Sequence, residues 1–167
     1  AKRGDIGNTG LHYANAFFSH FNCDAITVSP YMGEESIEPF ISNPSKGAYV
    51  LCRTSNKSST FIQEEIYSKV ISLCEALNNQ QNIGLVVGAT NDDALMQVRN
   101  STDLPFLIPG IGAQGGDLQS VLKINENSMD TTLINVSRGI IFSGNKDRDS
   151  IRNSAKQYLN QIRGLNG

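Results

Sequence analysis

The sequence predicts a parallel α/β fold in a single domain, and three observations carry that expectation. β-Rich runs alternate with helix-period segments from end to end of the 167 residues. The run 83–89 (Ile-Gly-Leu-Val-Val-Gly-Ala) is almost continuously apolar, the pattern of a strand covered on both faces. No proline- or glycine-rich linker divides the chain into regions of different composition. Alternation alone leaves two architectures open, a doubly wound open sheet and a closed barrel.

The elements follow in order. Residues 1–9 read as the end of a strand and its loop. Over 11–21, Leu11, Ala14, Phe17, Phe18 and Phe21 fall at helical spacing, with His12 and His20 as surface or packing residues. Residues 24–29 form a short β-rich run that stops at Pro30. The segment 33–41 is a short helix whose early acids, Glu34 and Glu35, suit the helix dipole. A strand over 47–53 precedes a polar loop, 54–59, and a long helix, 61–77, with Ile62, Ile66, Val70, Leu73 and Leu77 on one face. After the strand 83–89 come a helix over 92–99, a strand over 105–108, a helix over 117–124 opened by Asp117, and a strand over 131–136. A helix over 148–163 carries Ile151, Ala155, Tyr158, Leu159 and Ile162 and closes the chain.

Composition narrows the function. Hydrophobic residues make up 39% and charged residues 18%, which suits a globular chain with a real core. A net charge of −2 supplies no global field to recruit nucleic acid or a membrane, so neither is an expected partner. There is no apolar run of membrane-spanning length and no signal peptide at the start. The three cysteines, Cys23, Cys52 and Cys74, have no metal-ligand spacing and are odd in number, so they read as free thiols in a reducing, cytoplasmic setting. The Asn-x-Ser triplet at Asn135 is expected to lie in a buried strand, where a glycan would not fit.

Three stretches carry chemistry. The first is Lys2-Arg3-Gly4-Asp5, directly before an amphipathic helix. The second is Ile108-Pro109-Gly110-Ile111-Gly112-Ala113-Gln114-Gly115-Gly116-Asp117. The third is Ile134-Asn135-Val136-Ser137-Arg138-Gly139. The second is neither a Walker loop nor a dinucleotide fingerprint. In this order the three resemble the orotidine 5'-monophosphate decarboxylase family, from Lys2 to about Phe142. The resemblance chooses the (β/α)₈ TIM barrel over the open sheet.

The resemblance also implies a truncated barrel. Five full strands and the tail of another can be placed, whereas the barrel needs eight in typically about 250 residues. The chain, residues 1–167, is therefore expected to be one incomplete TIM-barrel domain, from the end of strand 3 through helix 8. The family signature is Asp-x-Lys-x-x-Asp, and its first aspartate would stand one place before Ala1. The missing N-terminal segment of the same protein becomes an expected partner.

For the site, the resemblance implies Lys2 as proton donor at the reacting carbon. Asp5 would be its carboxylate neighbour, reaching in from the other subunit of a homodimer with shared active sites. Ile6 and Thr9 would approach that neighbouring site too, with Thr9 near the ribose. Ser55 would hydrogen-bond the amide edge of the pyrimidine. Pro109 would open a glycine-rich lid in which Gln114 bridges phosphate and base. Relatives often carry Pro-Gly where Lys57-Ser58 stands, and glycine where Ser137 stands. Arg138, just past the last strand, sits where barrels commonly bind phosphate, and its guanidinium suits a bidentate grip on phosphate oxygens.

The implied activity is decarboxylation of orotidine 5'-monophosphate to uridine 5'-monophosphate in pyrimidine biosynthesis. Loss of carbon dioxide at C6 leaves a carbanion that the ring delocalises poorly. No Schiff-base, thiamine or metal motif offers an electron sink, so no cofactor is expected. An ammonium held between carboxylates can balance the developing charge and then protonate C6. Two other readings stay open: a magnesium-dependent sugar-phosphate lyase of the same fold, and a catalytically silent nucleotide-binding module.

Overall fold

The structure, a computed structural model, describes residues 2–164. Six strands form one sheet: β1 (Lys2–Arg3), β2 (Ala25–Val28), β3 (Gly47–Arg53), β4 (Ile83–Val87), β5 (Phe106–Pro109) and β6 (Thr132–Asn135). All neighbours are parallel, and the strand order is the chain order. A doubly wound sheet reverses its order at a switch point; a (β/α)₈ barrel never does. The sequential order is therefore the barrel's.

Parallel pairing demands crossovers, and the helices supply them. They are α1 (Gly7–Asn15), α2 (Glu38–Ile41), α3 (Thr60–Leu77), α4 (Asp92–Arg99), α5 (Leu118–Ile124), α6 (Arg138–Ile141) and α7 (Arg148–Gly164). Three have side-chain N-caps. Asn91 accepts from the Ala94 amide at 3.0 Å, Asp117 from the Ser120 amide at 2.8 Å and Asp147 from the Ser150 amide at 2.7 Å. The hydrogen bonds from Ser120 and Ser150 also hold the Asp117 and Asp147 carboxyls below their usual range. No helix among the described residues is long and apolar enough to cross a membrane.

The core lies between strands and helices. Every residue of β4 is buried, as its unbroken apolar run requires. Phe40, Phe106, Ile37 and Leu95 are fully buried as well.

Four expectations change. The first helix begins at Gly7 rather than at residue 11, and its last turn widens into a π-turn, Ala16–His20. Phe17 and Phe18 pack on the core there, whereas Leu11 and Phe21 are exposed. His12 and His20 are at the surface. The short helix over 33–41 splits into a 3₁₀ turn, Glu34–Ser36, and α2, because Pro39 has no N–H to continue the ladder. On α3, Val70, Ile71 and Cys74 are buried, but Ile62 is half-exposed. Ile62 and Ile66 line a groove of about 640 Å³ together with Leu51 and Cys52 of β3. Finally, β6 is an edge strand: Leu133 is 53% exposed and Asn135 is exposed rather than buried.

Candidate functional site

Parallel strands in sequential order place all their C-terminal ends on one rim, where barrels and open α/β sheets alike bind ligands. The predicted site residues distribute along it. Lys2 lies on β1, in register with Thr27. Ser55 follows β3, Pro109 ends β5, Gln114 lies in the loop after β5, and Arg138 opens α6 after β6. Pro109 is in register with Asn135, so the glycine-rich loop and the Arg138 turn leave the sheet side by side.

The best-defined part of the rim surrounds Ser55. Its hydroxyl donates to Gln114 Oε1 at 2.7 Å. Thr90 Oγ1 donates to the Ser55 carbonyl at 3.0 Å. The neighbouring strand ends are tied together as well: Gly88 N–H donates to the Arg53 carbonyl at 2.8 Å, and Ala89 N–H to the Pro109 carbonyl at 2.9 Å. A Cβ on Gly88 would lie 2.7 Å from the Ser55 nitrogen, so only glycine lets the Ser55 loop seat itself there. A cleft of about 300 Å³ is lined by Ser55, Asn56, Lys57, Gly88, Thr90 and Gln114, among others.

The loop carrying Ser55 is braced from behind. Thr54 N–H donates to Gln63 Oε1 at 2.7 Å, and Gln63 Nε2 donates back to Thr54 Oγ1 at 2.9 Å. Buried Arg53 pairs with Glu64 at 2.7 Å and lies over the Tyr67 ring at 5.1 Å. Lys57–Ser59 form a 3₁₀ turn that runs straight into α3, so the loop forms without the Pro-Gly of relatives.

The glycine-rich loop is folded back on itself. Gly116 N–H donates to the Gly110 carbonyl at 3.0 Å and Gly112 N–H to the Gly116 carbonyl at 3.1 Å. Gly110 stands at φ +106°, a backbone conformation that side chains resist. Gln114 is exposed at the tip of this loop. With its oxygen engaged by Ser55, what its side-chain amide has to offer a ligand is N–H donors, which suit an anion.

Around Lys2 the chain assembles less. Among the described residues the ion pairs are Lys46–Asp24 and Arg53–Glu64, so Lys2 and Asp5 do not pair within the chain. Asp5 Oδ1 accepts the Ile6 amide at 2.9 Å. Ile6 and Thr9 stand exposed at the start of α1, and Arg138 is exposed. The structure thus joins Ser55 to Gln114 and lays Pro109 beside the Arg138 turn, but leaves Lys2, Asp5, Ile6 and Thr9 outside that cluster.

Gly88 and Thr90 escape a reading of motifs. The signal for Gly88 is a glycine at the very end of a buried strand, which marks a close backbone approach. Thr90 carries no such signal.

The model of the orotidine 5'-phosphate decarboxylase / HUMPS family matches residues 1–152. The chain belongs to the orotidine 5'-phosphate decarboxylase / HUMPS family. Among curated members, it is 44% identical to the orotidine 5'-phosphate decarboxylase of Dehalococcoides mccartyi, over 97% of this chain and 65% of that protein. It is 45% identical to that of Natronomonas pharaonis, over 86% of this chain and 56% of the relative. The chain thus spans less than two thirds of these relatives' length. Among solved structures, Leishmania donovani OMP decarboxylase superposes with a TM-score of 0.89 at 40% identity, covering 99% of this chain and 66% of that one. Leishmania donovani UMP synthase superposes with a TM-score of 0.90 at 43% identity, covering 99% of this chain and 38% of that one.

Proposed function

We propose that the protein containing this chain decarboxylates orotidine 5'-monophosphate to uridine 5'-monophosphate, with Lys2 as the proton donor. The observation that carries the reading is the Ser55–Gln114 hydrogen bond at 2.7 Å. It couples the loop assigned to the pyrimidine with the loop assigned to the phosphate, on the rim that also bears Lys2 and Arg138. The names of the relatives at 44% and 45% identity support the same activity.

In this mechanism the bond between C6 and the carboxylate breaks, carbon dioxide leaves, and the electron pair stays on C6. The Lys2 ammonium balances that charge and transfers a proton to C6. The work is electrostatic and depends on a site whose dipoles are already placed. Arg138 and Gln114 bind the phosphate, far from the reacting bond, and that remote binding energy closes the glycine-rich loop and expels water. No cofactor is assigned to this reaction.

The active unit is a homodimer with shared sites. Asp5, Ile6 and Thr9, which stand apart from the cluster within the chain, contribute to the site of the partner copy. One experiment tests mechanism and assembly together: loss of orotate absorbance is followed in the intact protein. Lys2→Ala and Asp5→Ala should each be inactive while still binding uridine 5'-monophosphate, and mixing the two variants should restore activity as hybrid dimers form. Turnover by Lys2→Ala within tenfold of the unmodified protein would sink the mechanism. No recovery after verified subunit exchange counts against shared sites.

A further inference from the structure

Tyr158 reaches from α7 to the base of both phosphate-side loops. A Cβ placed on Gly112 would lie 2.8 Å from the Tyr158 hydroxyl, and a Cβ placed on Gly139 would lie 2.7 Å from the same atom. Gly112 belongs to the loop after β5 that carries Gln114. Gly139 follows Arg138 after β6. One hydroxyl therefore occupies the space that a side chain at either position would need, between the two loops.

The rest of α7 strengthens this grip. Ser154, one helical turn before Tyr158 and on the same face, donates from its hydroxyl to the Gly139 carbonyl at 2.8 Å. Ser154 is buried, and the Tyr158 ring packs against the core. The helix thus fixes the Arg138 turn at two points and the Gln114 loop at one. Tyr158 lies beyond residues 1–152, the portion that the family model matches.

We infer that Tyr158 is a positioning residue for phosphate recognition. Its hydroxyl sets the spacing between the loop that presents Gln114 and the turn that presents Arg138, so that both reach one phosphate monoester. The inference rests on the proposed function for its ligand class, a nucleoside 5'-monophosphate. Two loops can share one anion only if their separation is set beforehand, because small errors of placement forfeit contacts.

Binding separates the two ends of such a ligand. Titrations of the intact protein with uridine 5'-monophosphate and with uridine, followed by NMR, read phosphate-dependent and base-dependent affinity. Tyr158→Ala should weaken uridine 5'-monophosphate by at least about fivefold and leave uridine within about twofold. Tyr158→Phe keeps the ring in the core and so guards against a variant that does not fold. It should still weaken the monophosphate by about twofold or more, because the hydroxyl that sets the spacing is gone. Added to Arg138→Ala, the Tyr158→Ala change should cost little further affinity, because Tyr158 acts through the arginine turn. Equal losses for both ligands, or unchanged monophosphate affinity in both tyrosine variants, overturn the inference. Turnover is not the readout. If the unmodified protein fails to decarboxylate orotidine 5'-monophosphate but Tyr158→Ala still loses monophosphate affinity selectively, the proposed activity falls and this inference stands.

Discussion

The Ser55 hydroxyl donates a 2.7 Å hydrogen bond to Gln114 Oε1, across 59 residues of sequence. The bond joins two loops from two strands that are not neighbours, since β4 lies between β3 and β5. Closure of the glycine-rich loop and seating of a pyrimidine should therefore be coupled. Ser55→Ala, Gln114→Ala and the double variant form a cycle, read as kcat/KM for orotidine 5'-monophosphate. The coupling should be about 0.5–1.5 kcal/mol, the net worth of one such bond. Additive losses would mean that the contact is incidental to binding.

Arg138 should act through the phosphate. Charge-assisted hydrogen bonds are worth about 1.5–3 kcal/mol, so Arg138→Ala should lower kcat/KM by at least about tenfold. Gln114→Ala should do less, because its amide is neutral. With orotidine, which lacks the phosphate, Arg138→Ala should change little. Equal losses on both substrates would place Arg138 in support of the fold or the ring instead.

Gly88→Ala tests the close approach beneath Ser55. The added methyl would stand 2.7 Å from the Ser55 nitrogen and 2.9 Å from its Cα, both backbone atoms that cannot rotate away. Overpacking of this kind costs about 1–3 kcal/mol. The variant should melt at a lower temperature and bind uridine 5'-monophosphate more weakly, since the Ser55 loop must move. Unchanged affinity and unchanged melting temperature would show that the loop has room to spare.

The buried cysteines predict an alkaline limit. Cys52 and Cys74 are 2% and 0% exposed. Burial pushes both thiols from an ordinary value of 9.0 up to about 12; Arg53 partly opposes this at Cys52, while Cys52 and Glu75 add to it at Cys74. The native state keeps these protons where the unfolded chain releases them. The stability they contribute is thus fully present below about pH 9 and is lost as pH rises toward 12. Urea unfolding at rising pH should show stability falling across that window, less steeply in Cys52→Ala than in the parent. At pH 8 a thiol reagent should label Cys23, which is partly exposed, and reach the other two only after denaturation. Rapid labelling of all three thiols in the native protein would contradict the burial.

By itself the sequence determined the parallel α/β class, the positions of most elements and the three motif stretches. The reason is that these are local or periodic properties: the buried run of β4, the acids and caps that open α4 and α5, and the apolar spacing of α3 all act within a few residues. Tertiary structure alone decided how the elements come together. Sequential strand order puts Lys2, Ser55, Pro109, Gln114 and Arg138 on one rim. The widened turn after α1 rotates Phe21 to solvent, and the edge position of β6 exposes Asn135. The contacts of Gly88 with Ser55, of Thr90 with the Ser55 carbonyl, and of Tyr158 with Gly112 and Gly139 join residues far apart in the chain. No periodicity or spacing encodes such contacts, because each depends on where the packed sheet and its helices hold two distant backbones.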